Sequence, residues 1–331
     1  MKGILVEEFG PFDSAQIQDI SDPVAGPKEV TLAVKAIDVN FPDMMVIEGT
    51  YQVKPPLPFS PGKAASGVIE QVGPGVSGLN RGDRVLACVE YGAYAEKLLT
   101  SVDKCHPMPD EISFEKAAAM GLVYLTAYFA LKDRAHLKHG ESVLVLGAKG
   151  GIGMASIQVA KALGAGTVIA GVRDVENSEF VREMGADHVL DLSMESLRDQ
   201  LREQIYSHTN GEGVNVIIDP VGGFANAAAL RALAWKGRLV VIGFASGDIP
   251  KIKANYLLVK NITVTGLQIS DYRDRYPEKF SKAQAELFEF YRQGLINPYI
   301  GLILPLERYA EALGYIRVGR VRGKVVLEVE N

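Results

Sequence analysis

Apolar positions along the chain follow two patterns. Up to about residue 117, short apolar runs alternate with turn residues, and 4–6, 30–36, 66–72, 84–88 and 93–98 read as strands of an irregular β-rich domain. Pro55-Pro56-Leu57-Pro58 and Ser60-Pro61-Gly62 interrupt that pattern with residues that cannot pair as a central strand, so they form a loop, the kind of segment that often carries a site. Beyond Phe114 the periodicity becomes helical over 115–119 and 122–131. Strands and helices then alternate: a strand at 187–190, a helix at 193–207, a strand at 214–219, a helix at 224–234, and strands at 238–243 and 262–266. This is the doubly wound parallel pattern of an α/β domain. The tail predicts helices at 279–293 and 306–316 and a strand at 324–329. Returning it to the first domain gives a division into 1–117 with 268–331, and 118–267.

The stretch Val143-Leu144-Val145-Leu146-Gly147-Ala148-Lys149-Gly150-Gly151-Ile152-Gly153 places a buried strand, a glycine turn and an amphipathic helix in succession. A Gly-x-x-Gly turn alone is common; the strand before it and the helix after it make it a dinucleotide site. Gly150 lets backbone approach a pyrophosphate, Gly153 lets the helix pack closely on the strand, and the unpaired N–H groups at the helix start face the anion. A second buried strand, Val168 to Val172, closes the βαβ unit. Where an NAD enzyme usually places an acid on the ribose, this chain has Val172 followed by Arg173, which favours a 2′-phosphate and hence NADPH. The alternative is an Arg173 that points into water and is neutralised by Asp174. Lys149 either adds charge near the phosphates or faces solvent. At two further strand ends, the glycines of 219–223 and 242–247 either admit the nicotinamide and its ribose or simply make turns.

Composition narrows the class. The 331 residues are 47% hydrophobic and 23% charged, with a formal charge of −5 and no basic tract, so neither nucleic acid nor an anionic membrane is an expected partner. Cys88 and Cys105 lack metal-ligand spacing and fit buried thiols in a reducing compartment. The N-terminal residues are too acidic for a signal peptide, and no run of about 18 uncharged apolar residues occurs, so a cytoplasmic protein is expected.

Asn40-Phe41-Pro42-Asp43, Gly49-Thr50-Tyr51, Pro58-Phe59-Ser60-Pro61-Gly62 and the glycine turn, in this order, resemble the medium-chain dehydrogenase/reductase superfamily, in particular its zinc-independent, zeta-crystallin-like quinone oxidoreductase branch. Gly140-Glu141, Leu144, Gln158 and Lys161 extend the likeness. The resemblance implies a GroES-like β-rich catalytic domain built from both chain ends, a Rossmann domain, an NADPH-filled cleft and commonly a homodimer, with the edge segment 262–268 pairing with its copy. It implies cofactor contacts at Thr126, Ala148, Lys149, Gly150, Gly151, Ile152, Gly153, Arg173, Val221, Gly243, Phe244, Ala245 and Lys324, and catalytic roles for Asn40 and Tyr51.

Zinc-dependent relatives hold their metal with Cys, His and Cys or Asp. The matching positions here are Asn40, Lys63 and Leu122, which supply no thiolate, imidazole or carboxylate. The five histidines are scattered and read as surface residues. Without a metal to activate an alcohol, the expected substrates are small quinones or carbonyl-conjugated alkenes that already accept hydride. The resulting oxyanion needs donors: the Asn40 amide and the Tyr51 phenol, whose reference pKa of about 10 makes solvent an equally good proton source. Asn40 as a turn former before Pro42, Tyr51 as packing under the proline loop and Asp43 as a backbone cap are the structural alternatives. Met45, Ala64, Lys149 and Leu192 depart from the family pattern. A non-catalytic NADPH-binding protein and an enoyl-thioester reductase are the competing functions. The second needs a basic groove, whereas Arg273, Arg275, Lys279 and Lys282 read as a solvated helix face.

Overall fold

The computed structural model describes residues 1–194 and 196–330. Glu195, inside the helix expected over 193–207, and Asn331, at the end of the segment expected over 268–331, lie outside the described residues. Two compact units form: Met1–Leu122 with Ser270–Arg292 and Pro298 onward, and Val123–Ile269 with Gln293–Asn297.

The first unit is organised around the strand Glu29–Val39, rich in β-branched residues and buried on both faces over its second half. It pairs antiparallel with Ala64–Val72, Lys97–Ser101 and Lys324–Glu328. The seven-stranded sheet continues outward through Arg84–Cys88 to Cys105–Pro107 on one side and Ile300–Pro305 on the other, only the last pairing being parallel. The strand expected at 93–98 lies at Lys97–Ser101. The sequence reading also missed Ile300–Pro305, whose single fully buried residue, Leu304, gives it almost no pattern. Asn40, for which a turn before Pro42 was the structural alternative, caps the helix Phe41–Ile47, since Pro42 in a first helical turn removes no intrahelical hydrogen bond.

The second unit is a six-stranded, wholly parallel sheet. In order across it lie His188–Asp191, Thr167–Val172, Ser142–Leu146, Val214–Asp219, Leu233–Val241 and Thr263–Gly266. Numbered along the chain this is 3-2-1-4-5-6, so the order reverses between Ser142–Leu146 and Val214–Asp219, and ligands of such sheets sit outside the carboxyl ends of those strands. The helix expected over 224–234 ends at Leu230, and its last residues begin the bulged strand Leu233–Val241. A continuous apolar run does not tell a buried helix from a buried strand.

The two helices expected near 115–131 are one, Phe114–Tyr128, continued by a wide turn at Phe129–Arg134. Gly121 does not break it; a Cβ there would lie 2.7 Å from Cβ of Ala64, so the glycine is where helix and strand touch. Gln158 draws residues 293–297 into the second unit: its Oε1 accepts from Asn297 N (2.8 Å) and Tyr124 O–H (2.8 Å), and its Nε2 donates to Asn297 O (2.9 Å). Among the described residues, no helix is long and apolar enough to cross a membrane.

Both cysteines are buried, and burial pushes each thiol up to about 12. The expectation of surface histidines fails at His106. It is buried in Cys105–Pro107 with its ring 5.6 Å from that of Phe280, and neither nitrogen has a hydrogen-bond partner. Alternation across a strand only three residues long is too brief to show which face a side chain takes. Burial lowers the imidazole to about 4, so the unfolded chain binds the extra proton between about pH 6.5 and 4 and stability falls as pH drops through that window. His106→Phe is expected to be neutral or stabilising at pH 7 and increasingly stabilising relative to the parent down to pH 4, as read from thermal midpoints across pH.

Candidate active site

The dinucleotide end of the second unit is built by the turn after Ser142–Leu146. Gly147 takes φ +64°, Ala148 N–H donates to Gly171 O (3.0 Å), and the helix Gly151–Ala162 starts at Gly150. A Cβ at Gly153 would meet the carbonyl oxygen of Gly147 and lie 2.6 Å from Cα of Ala148, so no larger residue fits between helix and turn. Gly150 differs. Its φ of −79° suits any residue, and a Cβ there would meet only Gly147 O at 3.5 Å. The protein's own packing does not require glycine at 150; what its absence of side chain provides is bare backbone beside the first-turn N–H groups of Gly151, Ile152 and Gly153, which have no intrahelical partner. That is the surface a pyrophosphate fits.

Beside it, the strand Thr167–Val172 ends at Arg173, which is exposed. Asp174 does not neutralise it. The Asp174 carboxylate takes Lys149 Nζ at 3.0 Å and the Asn177 side chain at 3.1 Å, which hold it below the usual carboxylate range, and no described carboxylate pairs with Arg173. Leu192 packs over the same strand, its Cδ1 at 3.0 Å from where a Cβ of Gly171 would stand. Thr126 is buried on the helix Phe114–Tyr128.

At the switch point, Asp219 Oδ1 accepts from Val221 N and Gly222 N, both at 2.8 Å, and its Oδ2 from Asn226 Nδ2 at 2.6 Å. The loop after Leu233–Val241 is tied to this turn: Ala245 N donates to Pro220 O (3.1 Å) and Ser246 N to Val221 O (3.0 Å). Val221, Gly243, Phe244 and Ala245 therefore lie together on one braced rim, with Phe244 exposed.

In the first unit the family's motif residues gather into two buried ion networks. Lys324 Nζ pairs ionically with Asp38 Oδ1 (2.7 Å) and donates hydrogen bonds to Val39 O (2.9 Å) and Asn40 Oδ1 (2.7 Å). Asn40 Nδ2 donates to Asp38 Oδ2 (2.9 Å). Lys324, expected to contact cofactor, is thus engaged wholly within its own unit, and Asn40, expected to hold an oxyanion, aims its amide at Asp38. The physical reason is the depth of Asp38: burial pushes its carboxyl up despite the ammonium at 2.7 Å, and the Asn40 amide supplies a donor to its Oδ2. Asp43 caps the backbone as its alternative reading held, accepting Asn40 N–H (2.8 Å) and Tyr94 O–H (3.0 Å) at Oδ2. Its Oδ1 has no hydrogen-bond partner, and burial raises the acid to about 7 against the pull of Lys63.

The second network centres on Lys63, only 3% exposed. Its Nζ meets Glu90 Oε1 at 2.5 Å and Glu90 O at 3.3 Å and sits 4.5 Å from the centroid of the half-buried Tyr51 ring. Glu90 Oε2 takes Ser270 O–H (2.7 Å) and Arg273 Nη2 (2.9 Å); burial opposes its charge, but Lys63, Ser270 and Arg273 outweigh that and hold it below the ordinary range. Arg273, read from sequence as part of a solvated helix face, is buried and bound to Glu90 and Asp274. No local signal reveals it, because its partner lies 183 positions away. An ammonium so engaged cannot ligate zinc.

A wound parallel sheet with a bare-backbone glycine turn, joined in one chain to a GroES-like β unit, defines a nucleotide-dependent oxidoreductase. Residues 26–110 match the alcohol dehydrogenase GroES-like domain family and residues 151–286 the zinc-binding dehydrogenase family. The chain is 37% identical over 314 residues to quinone oxidoreductase-like protein 2 of Rattus norvegicus, covering 95% of this chain and 89% of that one. It is similar to a mycobacterial protein complexed with NADPH (33% identity, TM-score 0.91, 99% of this chain and 100% of that one). It is similar also to the Escherichia coli quinone oxidoreductase complexed with NADPH (29% identity, TM-score 0.90, again 99% and 100%). The chain belongs to the medium-chain dehydrogenase/reductase superfamily, among quinone oxidoreductase relatives.

Two outcomes follow from the buried charges. Glu90→Ala strands Lys63 and is expected to cost about 3–5 kcal/mol in denaturant unfolding, most of it recovered when Lys63→Met and Arg273→Met accompany Glu90→Leu. Asp43 binds its proton more tightly folded than unfolded, so stability falls as pH rises from about 4 to 7. Asp43→Asn, which keeps an oxygen for Asn40 and Tyr94, is expected to gain on the parent over that interval in thermal melts.

Proposed function

We propose that the protein is a metal-independent, NADPH-dependent reductase of quinones or carbonyl-conjugated alkenes. The observation that carries this reading is the Arg173 guanidinium, without a counter-ion among the described residues, beside the bare glycine turn. The turn's N–H groups hold the pyrophosphate, and Arg173 takes the 2′-phosphate through a charge-assisted hydrogen bond that NADH does not offer. The braced rim at Val221 and 243–245 receives the nicotinamide half. Bound NADPH supplies hydride.

The chain's part in the chemistry is electrostatic. Hydride addition to an enone or quinone leaves negative charge on oxygen, and this reading assigns its stabilisation to the Tyr51 phenol, whose ring lies against Lys63. Asn40 and Asp43 keep the start of Phe41–Ile47 rigid, and Lys63 occupies with its ammonium the position of a zinc ligand. A homodimer belongs to the same reading. Thr263–Gly266 ends the parallel sheet with no further strand beside it among the described residues, though Arg134 donates to Gly266 O at 3.0 Å, and the preceding helix Ala254–Lys260 exposes Leu258 and Val259, which a second copy would cover.

Purified protein is expected to oxidise NADPH when given quinones or enones; no turnover across such a panel would leave only a binding protein. Arg173→Ala is expected to weaken NADPH by about 10–100-fold while leaving NADH within about twofold, and equal affinity of the parent for both nucleotides would sink the phosphate assignment. Tyr51→Phe is expected to lower kcat/KM by about 100-fold with nucleotide affinity unchanged.

A further inference from the structure

Beyond the contact made by Arg173, the structure holds a charge arrangement that bears on nucleotide choice. Ser142–Leu146 and Thr167–Val172 are adjacent parallel strands with Leu146 opposite Gly171, so the segments that follow them, Gly147 to Gly150 and Arg173 to Asp174, emerge side by side. Three charges meet there: Lys149 from the glycine turn, and Arg173 and Asp174 from the end of the second strand. Lys149 Nζ is 3.0 Å from Asp174 Oδ2, and Asn177 adds its side-chain nitrogen to the same carboxylate at 3.1 Å. Arg173 is left without a described counter-ion.

We propose that Lys149 is a specificity-determining residue that acts through Asp174: by occupying that carboxylate it removes the repulsion a 2′-phosphate would meet beside Arg173. Asp174 stands one residue beyond Arg173, close to where an acid accepts the ribose hydroxyls in an NAD-type site. Left uncovered, it would repel a phosphate dianion and accept a 2′-hydroxyl; covered, it does neither. A lysine inside a glycine turn, where a small residue would satisfy the backbone, then has a definite task, which is to cancel the acid at the end of the adjacent strand rather than to grip the nucleotide itself.

The inference rests on the assignment of Arg173 to the 2′-phosphate, and the test separates the two. NADPH and NADH affinities are measured calorimetrically for the parent, Lys149→Ala, Asp174→Ala, the double variant and Arg173→Ala; Lys149 and Asp174 are surface residues whose replacement leaves the fold intact. Lys149→Ala is expected to weaken NADPH about tenfold with NADH unchanged or tighter, a loss that shrinks in high salt. Asp174→Ala is expected to bind NADPH as the parent does, and the double variant to return to within about threefold of it. A double variant as weak as Lys149→Ala alone would mean that Lys149 contacts the nucleotide directly and would overturn the inference. An NADPH loss in Arg173→Ala without rescue in the double variant overturns this inference alone; no loss in Arg173→Ala with rescue in the double variant overturns only the assignment beneath it.

Discussion

A charge removed from water must find a counter-charge, and in this protein that requirement shapes the first unit. Lys63 and Lys324 are both nearly inaccessible, and an unpaired ammonium at such depth costs several kcal/mol. Each therefore recruits a carboxylate from a different strand or loop, Lys324 taking Asp38 and Lys63 taking Glu90, and the second carboxylate recruits Arg273 from far along the chain. The helix beginning at Phe41, the proline loop ending in Lys63 and the segment around Ser270 are fixed by these pairings as much as by apolar packing.

The same requirement accounts for the chemistry. Where a zinc-dependent relative concentrates charge in a metal, this chain spreads it over a closed ionic network whose members satisfy one another. An ammonium bound to Glu90 is a fixed electrostatic feature and not a Lewis acid. In the nucleotide unit the logic is inverted. The first-turn N–H groups after the glycine turn have no intrahelical partner, and Arg173 has no counter-ion among the described residues.

The glycine turn and the parallel strands were legible because they are local: a buried strand, a tight turn and a helix start leave their marks within about a dozen residues. Gly153 could be assigned to close packing from its spacing alone, and the carbonyl of Gly147 against it is the contact that spacing implies. The helix Phe41–Ile47 was not legible, for the opposite reason. Seven residues show too little periodicity, and Pro42 reads as a breaker unless its place in the first turn is known. His106 and Arg273 were misplaced because charge and polarity set only a prior for exposure, which the three-dimensional neighbourhood overrides.

By itself, the sequence determined the fold class, the dinucleotide turn and the absence of thiolate, imidazole and carboxylate at the zinc-ligand positions, since each depends on residue identity and short spacing. Only the tertiary structure decided what the charged residues do: that Asp174 belongs to Lys149 and not to Arg173, that Asn40 serves Asp38, and that Glu90 joins Lys63 to Arg273. Pairing between charges depends on distances through space, and those are set by the folding of segments that sequence separation leaves unrelated.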